Sequence, residues 1–122
     1  MRILSLIAAI IIWGGPADAQ RSDIVSGPHG GKLQEVSGLE VELLIGETDV
    51  TLYVYSLEKV LLDVRGYSAF VDIVAGGHRE QILLRPNETT KLEGKGKALL
   101  RPYSALTLYI TIPGNVTASV PF

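Results

Sequence analysis

Apolar residues recur at every second position along much of this 122-residue chain, a period that makes β-strands its building elements. Leu39, Val41, Leu43 and Ile45 alternate with Glu40, Glu42 and Leu44, and Val50, Leu52 and Val54 alternate with Thr51, Tyr53 and Tyr55. From Lys32 onward only residues 57–64 (LEKVLLDV) also fit two helical turns; with strands on both sides they are expected to form a loop and a short strand. Turn-forming clusters separate the runs. Gly76-Gly77 joins Tyr67–Ala75 to His78–Arg85 in the clearest hairpin, because a glycine pair accepts the positive φ angles of a two-residue turn. Pro86-Asn87-Glu88 is the next turn, and Gly94-Lys95-Gly96 is expected to join strands Thr89–Glu93 and Lys97–Arg101. Tyr103–Ile112 reads as the longest strand, and Pro113-Gly114-Asn115 turns into the last, Val116–Val120. About eight short strands at this spacing predict one all-β domain over residues 32–122, an antiparallel β-sandwich or small barrel.

The amino-terminal segment has a different character. Met1-Arg2 is followed by an apolar run, Ile3–Trp13, then by Gly14-Gly15-Pro16 and the small-residue pattern Ala17-Asp18-Ala19. That order is the one found in a secretory signal peptide, with residues 1–19 removed and Gln20 as the new terminus. The apolar run is short of the about 18–20 residues that cross a bilayer, so no stable membrane anchor is expected after cleavage. Cleavage takes away the only Met and the only Trp. Residues 20–31 (QRSDIVSGPHGG) read as a flexible leader ending in a turn.

Composition excludes several kinds of chemistry. The absence of Cys removes disulfides, thiolate metal sites, cysteine nucleophiles and iron–sulfur clusters. A small exported domain without disulfides must be held by its packed core. Lys91, Lys95, Lys97 and Arg101 bracket a glycine turn, but the net charge is −2 and Glu93 interrupts the cluster, so nucleic acid is not an expected partner. The serines and histidines lack a supporting motif such as G-x-S-x-G, and Glu40 and Glu42 sit on an alternating strand whose polar face reads as solvated. A non-enzymatic protein is expected.

Histidine carries the remaining signal. Both histidines border a glycine pair, in His29-Gly30-Gly31 and in Gly76-Gly77-His78. Glycine lets the backbone approach closely and leaves an imidazole accessible, which suits metal ligation and equally suits an ordinary surface turn.

The pattern GPHGGKLQEV…LEVELLI…VTLYVYS…GGHREQILLRPNE…KLEGKGKA, over roughly residues 27–112, resembles small periplasmic proteins of heavy-metal efflux systems. It is also similar to the amino-terminal β domain of the periplasmic adaptor subunits of RND-type metal-efflux pumps. Pro28-His29-Gly30-Gly31, Val41-Glu42-Leu43, Leu52-Tyr53-Val54, Leu84-Arg85-Pro86 and Leu92-Glu93-Gly94-Lys95-Gly96 carry the likeness. The resemblance implies a periplasmic accessory of transition-metal efflux or homeostasis, with an efflux adaptor or pump component as partner. It carries His29 and Glu42 over as metal-site residues. Two histidines common in such proteins are missing, since Glu40 and Ser56-Leu57 stand in their places.

Imidazole with carboxylate favours Zn(II), Cu(II), Ni(II) or Co(II) over Cu(I), which prefers sulfur. The expected site is therefore His29 and Glu42, with His78 as a further ligand, in a weak site or one shared with a second chain. For the two residues to meet, the His29 loop must fold over the polar face of the strand that carries Glu42. The other reading is a periplasmic β interaction module without a metal role, which recruits a protein partner or another copy of itself through its sheet edges.

Overall fold

The computed structural model describes residues 25–122, and every regular element among them is a β-strand. The signal-peptide reading of residues 1–19 and the start at Gln20 lie outside the described residues. The strands are β1 (Val25–Ser26), β2 (Lys32–Val36), β3 (Leu39–Ile45), β4 (Asp49–Tyr55), β5 (Ser68–Ala75), β6 (His78–Asn87), β7 (Lys91–Lys95), β8 (Tyr103–Ile112) and β9 (Val116–Pro121). They form one antiparallel sheet in the order β1-β2-β3-β4-β7-β6-β5-β8-β9, curled into a half-barrel. Over the described residues the fold is thus all-β with nine strands; β1 is not among those expected, the strand expected at Lys97–Arg101 is absent, and residues 57–64 form a loop with one bridge, between Tyr55 and Leu61.

Strand β6 joins the two halves of the curl. Residues 78–84 pair with β5, and Arg85, Pro86 and Asn87 pair with β7. The two ends of the ribbon approach each other on the open side, where Gln34 Nε2 of β2 donates to the Pro121 carbonyl of β9 at 3.2 Å.

Alternation sets the core. Val41 and Leu43, Val50, Leu52 and Val54, Val71 and Ile73, Ile82 and Leu84, and Leu106, Leu108 and Ile110 all face inward and form one buried cluster with Leu92, Leu100 and Val120. Burying each such side chain contributes about 1.5–3 kcal/mol, which supplies the cohesion that disulfides provide in many small exported domains. The Tyr103–Ile112 strand and the Gly76-Gly77 hairpin are found where expected, with φ of 59° and 80° at the two glycines.

Three segments differ from expectation. Gly94 lies inside β7 opposite Val50 rather than in a loop, because a Cβ there would overlap the Leu83 carbonyl oxygen. Its glycine serves close approach, not turning. Residues 97–101 accordingly form a connection instead of a strand. It runs beside the β3–β4 turn, with Gly96 N–H donating to Thr48 O at 2.6 Å and Leu100 N–H to Glu47 O at 2.8 Å, and it inserts Leu100 into the core. The expected turn at Pro86-Asn87-Glu88 starts later, since Pro86 and Asn87 remain in β6 and Glu88 carries the positive φ, 63°.

Candidate functional site

The connection between β1 and β2, Gly27–Gly31, is a closed loop. Gly30 N–H donates to Gly27 O at 3.0 Å and Gly27 N–H to Gly31 O at 2.8 Å. That closure turns the N–H groups of His29 and Gly31 toward one point, occupied by Glu42 Oε2 at 2.8 Å from each. Converging backbone N–H groups form a small anion-binding concavity, and here the anion is a side chain of the same molecule.

Glu42 comes from β3, on the face opposite the core residues Val41 and Leu43. Its cross-strand neighbour is Tyr53, and Tyr55 lies diagonally across on the same face. Tyr55 OH donates to Glu42 Oε1 at 2.7 Å, and His29 Nδ1 lies 3.0 Å from that oxygen and 3.0 Å from Tyr55 OH. The imidazole stacks flat on Tyr53, with ring centroids 3.7 Å apart and planes 2° from parallel. Both carboxylate oxygens are therefore used, each by two partners, and Glu42 is fully buried. The alternating pattern alone reads this face as solvated; it is dry because the 27–31 loop folds over it.

The loop also needs its glycines. A Cβ at Gly27 would overlap the Glu42 carboxyl group, and one at Gly31 would lie 2.6 Å from the Leu43 carbonyl oxygen. Gly30 has φ of 86° and open space around it, so its glycine serves the turn itself.

Electrostatics follow from these contacts. Burial pushes the Glu42 carboxyl up, but hydrogen bonds from Tyr55, from the His29 ring and from the N–H groups of Gly31 and His29 outweigh it and leave the group below its ordinary 4.5. Burial, then the hydrogen bond to Glu42 and the charge of Glu42, drive Tyr55 well above the usual phenol value of 10. Tyr55 thus remains a donor and Glu42 an anion at neutral pH. A carboxylate only accepts, so the Nδ1 that meets Glu42 Oε1 carries a proton, and the ring itself is partly exposed.

Of the three residues expected in a metal site, the structure brings His29 and Glu42 together. Glu42 holds His29 from behind, with no oxygen left over. His78 stands apart: it opens β6 opposite Ala75, beside Arg79, Glu80 and Lys97, and β7 separates β6 from β4 in the sheet. Glu40 pairs with Lys59 at 2.6 Å. Among the described residues, no group of three or more His, Cys, Asp and Glu side chains is arranged to hold an ion. Tyr53 and Tyr55 complete the site beyond the residues expected there; their signal in the sequence is their shared face with Glu42 across the β3–β4 hairpin. Comparisons of the chain with protein-family models, with curated proteins and with solved structures find no match.

Proposed function

We propose that this chain is an exported, non-enzymatic β module that binds a protein partner through the loop between β4 and β5. The observation that carries this reading is an apolar cluster on that loop: Leu57, Val60 and Leu61 are 50%, 58% and 37% exposed within five residues. Exposed apolar side chains are ordinary when scattered; grouped on an ordered loop they mark a contact surface. The loop is held in shape. Ser56 N–H donates to Val60 O at 2.9 Å, Lys59 N–H to Ser56 O at 2.9 Å and Val60 N–H to Ser56 Oγ at 3.2 Å. Lys59, at φ of 72°, reaches back to Glu40 on β3. Tyr55, anchored on Glu42, fixes the point where the loop leaves the sheet. A surface ordered in advance loses little conformational freedom on binding.

Photo-crosslinking in producing cells tests this reading. A crosslinking residue in place of Val60 should give one discrete adduct with another protein, and the same residue in place of Ser119 on β9 should give none. Equal labelling at the two positions contradicts it.

A second reading, a weak transition-metal role in efflux, is favoured by the imidazole of His29. A partly exposed ring whose Nδ1–H is held by a carboxylate is supported as metal-binding histidines usually are. On this reading Nε2 is the ligand and Glu42 its support, with further ligands from water, an efflux adaptor or a second chain. Calorimetric titration with Zn(II), Cu(II) and Ni(II) should show binding that His29→Ala abolishes and His78→Ala leaves unchanged; equal heats for wild type and His29→Ala contradict it.

A further inference from the structure

We propose that a groove on the open side of the half-barrel binds an amphipathic organic anion, a carboxylate on an apolar body. The groove encloses about 380 Å³ between the end of β3 and the start of β8 and continues over Pro102. That volume falls within the range of small-molecule sites. Leu43, Leu44, Ile45 and Tyr103 form its wall, and Lys32 and Arg101 are its charged lining residues. No acidic residue lines it, and neither cation lies within ion-pair distance of a carboxylate among the described residues.

Two uncompensated cations against an apolar wall are unusual on a chain of net charge −2. Two other surface depressions mix charges of both signs: one holds Asp49 and Glu93 with Lys95, another Glu80 with Arg79 and Lys97. The groove is also ordered in advance. Lys32 Nζ donates to Tyr103 OH at 2.9 Å and lies 5.3 Å from the centre of that ring, which fixes the ammonium at the groove and leaves two of its protons to donate. Arg101 presents a planar fork suited to both oxygens of a carboxylate. The Gly30 rim contributes no side chain, and a Cβ there would meet nothing within 4 Å, so the mouth stays open. A ligand with a carboxylate between Lys32 and Arg101 places its hydrocarbon body on Leu44, Ile45 and Tyr103. Each half of the molecule then meets a matching surface.

None of these residues belongs to the β4–β5 loop, so this inference and the partner reading stand or fall separately. Titration of the isotopically labelled protein with octanoate, followed by amide NMR, tests the groove. Saturable shifts should centre on Gly30, Gly31, Lys32, Leu44 and Tyr103. Binding should be at least tenfold tighter than for 1-octanol, which lacks the charge, or for acetate, which lacks the body. Lys32→Gln combined with Arg101→Gln, both at exposed positions, should weaken octanoate at least tenfold and leave the spectrum of the core and the binding of 1-octanol unchanged. Octanoate binding no tighter than 1-octanol, shifts centred elsewhere, or undiminished affinity in the double variant would overturn the proposal.

Discussion

Histidine stands beside a glycine pair twice in this chain, and the two places have little in common in three dimensions. At Gly76-Gly77-His78 both glycines have positive φ and open space where a side chain would be, so they make a two-residue turn and nothing else. At His29-Gly30-Gly31 only Gly30 serves the turn; Gly31, like Gly27, is small because the backbone passes against Leu43 and Glu42. The difference lies in what stands opposite. The 76–77 turn faces solvent, and the 27–31 loop faces a buried carboxylate that collects its N–H groups. The same dipeptide thus ends a hairpin in one place and wraps an anion in the other.

Removing the carboxylate should have the largest effect. Glu42→Ala leaves the N–H groups of His29 and Gly31 and the Tyr55 hydroxyl without their acceptor, at about 1–3 kcal/mol each if they stay dry, so a loss of about 3 kcal/mol or more is expected in urea unfolding. Glu42→Gln, which keeps the shape but loses the charge, should lose about 2 kcal/mol. It should also change the response to acid. The native pKa of Glu42 lies below its ordinary 4.5, so its contribution is present in full above that value and disappears as pH falls through the native one. Wild type should lose stability on that limb more steeply than Glu42→Gln.

The glycines come next. Gly31→Ala forces a methyl group to 2.6 Å from a backbone oxygen that cannot swing aside, and should cost about 2–3 kcal/mol. Gly77→Ala meets no neighbour and should cost about 1 kcal/mol, for its positive φ alone; Gly77→Val should cost about 1 kcal/mol or more, since β-branched residues tolerate that φ less well. Equal costs for Gly31→Ala and Gly77→Ala in urea unfolding would erase the distinction between the two turns. The histidines should show the smallest effects. His29→Ala gives up its stacking on Tyr53 and one hydrogen bond, about 1 kcal/mol, and His78→Ala should stay within about 0.5 kcal/mol of wild type.

Local signals were legible and folded-over ones were not. Tyr103–Ile112 and the Gly76-Gly77 hairpin could be read because alternation and turn chemistry belong to the strands themselves. Gly94 misled because a glycine chosen for close approach to Leu83 looks the same in sequence as one chosen for a turn. Strand β1 has only two residues and no period of its own; its place is set by the loop that follows it. Alternation put Glu42 on the face away from Val41 and Leu43, where a carboxylate is ordinarily wet. Its burial comes from a loop 11–13 residues earlier in the chain, a contact the strand's own pattern does not encode.

Amide hydrogen exchange at His29 and Gly31 tests most directly whether the Glu42 carboxylate orders the 27–31 loop. In the wild type both N–H groups should exchange slowly despite their place in a connecting loop. In Glu42→Gln both should exchange much faster relative to the amides of β5, with Gly76, Gly77 and His78 unaffected. Protection at His29 and Gly31 that survives Glu42→Gln in proportion to β5 would contradict the account, because the loop would then owe its order to something other than the carboxylate it surrounds.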